Sequence, residues 1–207
     1  MKTLFAKAKV IPVLVFSDAA TAVPTGTALV AGGLPVLEIT LRTDAAWDAL
    51  SALVRALPDA TIGVGTVLEA NQIQRAADLG AKFAVSPGFD PALTEAAAKA
   101  GLFYLPGVAT ATEVMAARRA GLHFLKFFPA EQAGGVALLK SFASPFGDVA
   151  FCPTGGIGPG NLADYLAQPN VVCVGGSWVA GAKDMANQDW KGIEQKAEQA
   201  CAAIKSS

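Results

Sequence analysis

An α/β fold, specifically one (β/α)8 TIM barrel domain over residues 1–207, is what the sequence predicts. Three observations lead there. Short apolar runs alternate with Ala-rich stretches of helical period to the end of the chain. Eight such units fit this length, and no low-complexity linker or break in composition divides them. Strict alternation implies right-handed parallel crossovers, which fit a small closed barrel better than the alternative, an open doubly wound sheet.

The first strand is Val10–Phe16 and the second Val36–Thr40, with a helix at Asp18–Ala31 between them. Strands at Thr61–Gly65, Phe83–Ser86 and Phe103–Pro106 follow helices at Asp44–Leu57, Glu69–Leu79 and Pro91–Ala100. After a helix at Thr112–Ala120 come strand Phe124–Phe128, helix Gly135–Phe142, strand Val149–Pro153, helix Asn161–Leu166 and strand Val171–Val174. Helix Trp190–Ile204 closes the chain. Asp44 and Asp90 stand where N-caps belong, and Gly80, Gly101 and Gly121 lie just past helix ends.

Composition limits the partners. The net charge is -1 and no Lys/Arg cluster is present, which argues against nucleic acid and anionic membrane and leaves small anions reached through local donors. Three cysteines (Cys152, Cys173, Cys201) without C-x-x-C spacing and one histidine, His123, argue against a structural zinc site; two of the cysteines fall in apolar strand-like runs and read as small hydrophobes in a reducing compartment, hence the cytoplasm. Lys2, Lys7 and Lys9 before Val10–Phe16 loosely imitate a secretory signal, but the apolar run is short and contains Pro12, so it is read as a strand. The uncharged stretch Ala19–Leu37 is broken by Pro24, Gly26, Gly32, Gly33 and Pro35 and is no membrane span.

Two charges stand in the wrong places. Lys126 interrupts His123-Phe124-Leu125-Lys126-Phe127-Phe128-Pro129, where an apolar setting disfavours the charged amine and makes a nucleophile able to form a Schiff base with a carbonyl. The alternative is a lysine whose stem is buried while its head reaches water. Glu38 interrupts Val36-Leu37-Glu38-Ile39-Thr40-Leu41-Arg42, and alternation puts Glu38, Thr40 and Arg42 on one face. Here the alternative is an internal Glu38–Arg42 ion pair or a solvated strand face.

In a barrel these residues gather at the C-terminal strand ends. Gly155-Gly156 after strand seven and Gly175-Gly176-Ser177 after strand eight fall where barrels commonly hold a phosphate, with backbone N–H groups and a helix N-terminus as donors. A single Gly-Gly usually marks a turn; two in these two loops point to an anion. The combination suggests carbon–carbon chemistry on a phosphorylated keto acid. Lys126 attacks the ketone, Glu38 moves protons through a water, Arg42 holds the carboxylate with Thr66 completing the clamp, and Phe128 and Pro87 are apolar walls. Neither a metal nor another cofactor is needed.

The same residues carry a resemblance. Leu37-Glu38-Ile39-Thr40-Leu41-Arg42-Thr43, Gly63-Val64-Gly65-Thr66-Val67, Ser86-Pro87-Gly88, Leu105-Pro106-Gly107, Lys126-Phe127-Phe128-Pro129-Ala130-Glu131, Phe151-Cys152-Pro153-Thr154-Gly155-Gly156-Ile157 and Gly175-Gly176-Ser177-Trp178 resemble, in order, the motifs of the 2-keto-3-deoxy-6-phosphogluconate (KDPG)/4-hydroxy-2-oxoglutarate aldolase family. The resemblance implies a class I, metal-independent lyase on a (β/α)8 barrel, a cytoplasmic homotrimer of the Entner–Doudoroff pathway. It would cleave the phosphorylated keto acid to pyruvate and glyceraldehyde 3-phosphate. By position, Lys126 matches the Schiff-base lysine and Glu38 the general acid/base. Arg42, Thr66, Pro87, Phe128 and Thr154 match the pyruvate site, and Gly155, Gly156, Gly176 and Ser177 the phosphate site. Gly158 and Ala150 depart from the family pattern, and Val15 favours the gluconate substrate over its epimer. Two alternatives stay open: cleavage of 4-hydroxy-2-oxoglutarate, and a non-catalytic barrel that binds a phosphorylated ligand. His123 reads as a structural or surface residue because it faces away from Lys126. Glu131 reads as a capping or supporting group, and Trp47, Trp178 and Trp190 as packing or subunit contacts.

Overall fold

The computed structural model describes residues 1–205, as an α/β fold whose paired strands all run parallel. Strands β1 (Val10–Leu14), β2 (Val36–Thr40), β3 (Thr61–Gly65), β4 (Phe83–Val85), β5 (Phe103–Leu105) and β9 (Val174–Gly176) form a curled six-stranded sheet in the order β5-β4-β3-β2-β1-β9. A second sheet has the order β6-β7-β8, from β6 (Gly107–Val108), β7 (Phe124–Phe127) and β8 (Ala150–Pro153).

Two expected strands come out differently, both for reasons of backbone pairing. Phe103–Pro106 stops at Leu105 because Pro106 has no N–H to donate. Leu105 O still accepts from Ser86 in one sheet, whereas Pro106 O accepts from Lys126 in the other, so the chain passes between sheets at the proline. Val171–Val174 is not a strand: Val171 N–H closes the preceding turn on Gln168, and only a single bridge joins Val171 to Phe151. The strand begins at Val174, with β1 as its partner. A further bridge pairs Thr154 with Gly175.

The longer helices follow their periods: α2 (Ala22–Ala31), α3 (Ala46–Ala56), α4 (Ala70–Asp78), α5 (Pro91–Ala100), α6 (Ala111–Arg119), α8 (Gly135–Ala143) and α11 (Trp190–Lys205), while the five-residue α9 (Leu162–Leu166) is legible from its place between two apolar runs. Asp90 caps α5 by accepting from Ala92 N–H at 2.7 Å. Asp44 does not cap α3, whose N-cap is Ala45 with no side-chain bond, because Thr43 and Asp44 are still in the bend leaving β2. Three short helices, α1 (Lys2–Ala8), α7 (Ala130–Ala133) and α10 (Ala182–Ala186), are too brief to show a period in sequence.

Side chains alternate between two apolar clusters. Leu37, Ile39, Leu125, Phe127 and Phe151 point outward to a cluster shared with the helices. Ile11, Val36, Phe83, Val85, Leu105, Phe124, Ala150 and Cys152 point inward to a second one. Both faces are covered, which is why the strands read as continuous apolar runs. Phe5 of α1 fills the bottom of the inner cluster at 1% exposure, edge-on to Phe83 at 5.1 Å and Phe124 at 5.8 Å between ring centroids. Cys173 is buried in the same cluster; burial, and then its neighbour Cys152, push its thiol well above the ordinary range, which keeps it unreactive. His123 lies below β7, half exposed, with Nδ1 3.2 Å from Asp148, a surface role as expected.

Phe5→Ala removes the plug and leaves a void among aromatic rings. Urea denaturation is expected to show a loss of about 3–5 kcal/mol, the usual cost of deleting a buried Phe.

Candidate active site

Glu38 and Lys126 lie on strands that do not pair with each other, yet both project inward one step beyond the apolar layer of Val36 and Phe124. They meet across the interior: Lys126 Nζ donates to Glu38 Oε1 at 3.3 Å, with side chains 6% and 5% exposed. The Glu38–Arg42 ion pair is not formed. The space for the carboxylate comes from β3, where a Cβ on Gly65 would overlap the Glu38 carboxyl group. The Phe128 ring stands 5.2 Å from Nζ, near enough for a cation–π contact and for shielding from water. A buried amine beside a carboxylate can pass a proton to it, and the freed amine can add to a carbonyl.

Above this pair the strand ends supply polar groups. Arg42 lies past β2, exposed, and its Nε donates to Thr66 Oγ1 at 3.1 Å. Thr66 takes a left-handed backbone with φ 58°, a costly conformation for a β-branched residue, and this turn aims its hydroxyl at Arg42. Thr40, on the same strand face as Glu38, spends its hydroxyl on Leu14 O at 2.8 Å and is wholly buried. Pro87 follows β4 in a turn held by Ser86, whose Oγ contacts Gly88 O at 2.5 Å and Tyr104 Oη at 2.7 Å. Burial pushes the Tyr104 hydroxyl up to about 12, so it stays protonated and able to donate.

A cavity of about 210 Å³ opens beside Arg42. Phe128, Thr154, Gly155, Gly156, Gly175, Gly176 and Ser177 line it. The bridge between Thr154 and Gly175 brings the two glycine pairs side by side, and Gly155 and Gly156 have φ of 105° and 76°. Glycine allows these backbone angles, and successive N–H groups in such a turn form a concave anion site. The helix α9 begins at Leu162, within one residue of its expected start, so its N-terminus stands away from Gly155-Gly156 and the N–H groups of that turn belong to a loop. Pro87 does not line this cavity, and Lys126 and Glu38 lie outside its lining. Val15, already singled out in the sequence, lines it together with Val13 and Ile157; the strand-end rule applied to β1 would have found Val13 as well. Gly158 gives its N–H to Asn161 at 2.9 Å, within the loop. Ala150 begins β8, at the opposite end of that strand from Gly155.

Comparisons with known proteins match residues 1–196 to the family described as KDPG and KHG aldolase. The chain is 47% identical over 199 residues to the 2-dehydro-3-deoxy-phosphogluconate aldolase of Pseudoalteromonas atlantica, covering 96% of this chain and 93% of that protein. Among solved structures, the KDPG aldolase of Legionella pneumophila, with pyruvate captured as a covalent carbinolamine intermediate, superposes with a TM-score of 0.94 at 42% identity, covering 96% of this chain and 97% of that one. The Zymomonas mobilis KDPG aldolase with 3-phosphoglycerate gives a TM-score of 0.88 at 46% identity, covering 96% and 93%.

Thr66→Gly relieves the left-handed strain, about 1–3 kcal/mol, and adds back about 0.5–1 kcal/mol of unfolded-state entropy. The expected net is a stabilisation of about 1 kcal/mol, seen as a higher urea midpoint at unchanged slope.

Proposed function

This chain belongs to the KDPG and KHG aldolase family, and we infer from that membership and from the Lys126–Glu38 pair that it is a class I, Schiff-base aldolase. Its reaction is the reversible cleavage of 2-keto-3-deoxy-6-phosphogluconate to pyruvate and glyceraldehyde 3-phosphate. The observation that carries the reading is the 3.3 Å approach of a buried amine to a buried carboxylate, beneath a mouth lined by an arginine and four glycines.

Glu38 accepts a proton from Lys126, and the amine adds to the C2 ketone. The resulting carbinolamine loses water, with Glu38 returning a proton to the departing hydroxyl, to leave a protonated imine. Glu38, acting through a water, then takes the proton of the C4 hydroxyl. That O–H pair becomes the aldehyde C=O, the C3–C4 bond breaks, and its electrons enter the iminium to give an enamine. Glyceraldehyde 3-phosphate leaves, C3 is protonated, and hydrolysis of the imine releases pyruvate and restores the lysine. Arg42, oriented by Thr66, pairs with the keto-acid carboxylate through its planar fork. Thr154, Phe128 and Pro87 bound the pyruvate end, and Gly155, Gly156, Gly176 and Ser177 take the phosphate. Val15, at the cavity wall, supplies an apolar surface suited to the gluconate epimer.

We infer further that the two sheets close into one (β/α)8 barrel, a single domain. Pro106 makes β5 and β6 halves of one strand, and the Phe151–Val171 and Thr154–Gly175 bridges run from β8 to the approach to β9 and to β9 itself. From the family resemblance we take the enzyme as a cytoplasmic homotrimer of the Entner–Doudoroff pathway. No described helix is long and apolar enough to cross a membrane. Because the family name also covers the 4-hydroxy-2-oxoglutarate substrate, cleavage of that acid is the second reading, served by the pyruvate end alone.

Borohydride reduction with pyruvate is expected to leave a stable adduct on Lys126, located by peptide mass spectrometry, and none in Lys126→Arg; no adduct in the folded wild-type protein, with phosphate-ligand binding kept in Lys126→Arg, would instead indicate a non-catalytic barrel. Glu38→Gln is expected to lower kcat by about 10²–10⁴-fold, the range for a lost acid/base group. Steady-state kinetics should favour the phosphorylated substrate over 4-hydroxy-2-oxoglutarate; equal efficiency on the two would remove the phosphate assignment.

A further inference from the structure

Behind the glycine rim stands a carboxylate, in a place where charge alone would argue against one if the rim takes a phosphate. Glu131 lies in α7, and its backbone N–H donates to Gly155 O at 3.1 Å, while the neighbouring Ala130 N–H donates to Thr154 O at 2.8 Å. Its side chain packs under Gly156 so closely that a Cβ there would overlap Glu131 Cβ and Cγ. The carboxylate then accepts a hydrogen bond from the hydroxyl of Tyr165, a wholly buried residue of α9. One turn earlier, the backbone O of Asn161 accepts from Tyr165 N–H at 3.3 Å. The Asn161 side chain in turn donates from Nδ2 to Gly156 O at 3.1 Å and accepts from Gly158 N–H at 2.9 Å. The contacts close a ring from Gly156 through Glu131, Tyr165 and Asn161 back to Gly156. None of these three supporting side chains lines the cavity.

We propose that Glu131, Tyr165 and Asn161 are positioning residues that set the phosphate affinity of the enzyme by holding the Gly155–Gly156 backbone in its anion-binding turn. This rests on the assignment of the rim to the phosphate. Glycine itself provides no such rigidity: with φ of 105° and 76° at two successive residues, the turn is held by what surrounds it. A backbone donor is useful to an anion only if it is already aimed, since ordering it on binding subtracts from the affinity. Glu131 is therefore used for its shape and its acceptor oxygen. Its negative charge is incidental, and a neutral acceptor of the same shape should serve as well.

The test measures KM and kcat for both 2-keto-3-deoxy-6-phosphogluconate and 4-hydroxy-2-oxoglutarate, with the wild-type enzyme as reference. Tyr165→Phe and Glu131→Ala are expected to raise KM for the phosphorylated substrate about tenfold, the scale of one lost hydrogen bond with a charged partner. The expected kcat, the kinetics on 4-hydroxy-2-oxoglutarate and the yield of the borohydride-trapped pyruvate adduct are unchanged. Glu131→Gln keeps an acceptor for Tyr165 and should match or improve on wild-type KM. Asn161→Ala, at a half-buried position, should show the same selective rise and serves if the buried variants fold poorly. An equal loss on both substrates, or no change with the phosphorylated one in Asn161→Ala, overturns the proposal. A wild-type enzyme without preference for the phosphorylated substrate overturns instead the assignment on which it rests.

Discussion

The approach of Lys126 to Glu38 is the constraint around which the rest of the molecule is arranged. Removing two charges from water costs several kcal/mol per ion, and the attraction between them offsets this only when the geometry is good. Here three strands meet that condition together. β2 brings the carboxylate and β7 the amine, and β3 presents a glycine where any side chain would displace the carboxylate. Beneath the pair, Phe5 packs edge-on to Phe83 and Phe124 within the inner apolar cluster. The polar groups stand on the other side of the pair, at the strand ends.

The mouth combines rigid supports with short-range chemistry. Each functional group is held by a neighbour with no direct part in the proposed reaction: the Pro87 turn by Ser86 and Tyr104, the glycine turn by Glu131 and Asn161. Arg42 is oriented by Thr66, whose backbone strain persists because the surrounding turn over-determines it. Loop residues can bind with precision when the loops themselves have little freedom left. The proposed roles also divide two tasks between the buried Lys126–Glu38 pair and the glycine turns: covalent chemistry would depend on dryness, and phosphate binding on aimed N–H groups.

Much of this was legible in the linear sequence. The anomalous positions of Lys126 and Glu38 were visible because strand runs are otherwise apolar, and period-2 alternation placed each on the face opposite its apolar neighbours. The glycine pairs were visible as a repeated signal at successive strand ends. The path of the chain through Pro106 was less so, because a proline within an apolar run looks like a strand terminus and hides the transfer of hydrogen bonds from one neighbour to the other. The strand at Val174–Gly176 was displaced toward its glycines because Val171 to Cys173 has the apolar character of a strand while its backbone is still engaged with the preceding turn. Helix α1 escaped notice since seven residues are too few for a period, and its place is set by one anchor, Phe5.

Sequence alone determined the α/β class, the order of most elements and the two charges that stand against an apolar background, Lys126 and Glu38, because these follow from local periodicity. Tertiary structure decided which of those residues meet. The partner of Glu38 is 88 residues away rather than four, the cleared space beside it belongs to Gly65, and the support of the glycine turn comes from a tyrosine that lies on another helix. The reason is physical. Periodicity records which face a side chain takes, whereas the distance between two faces depends on how the sheet curls and on which side chains are missing from the space between them.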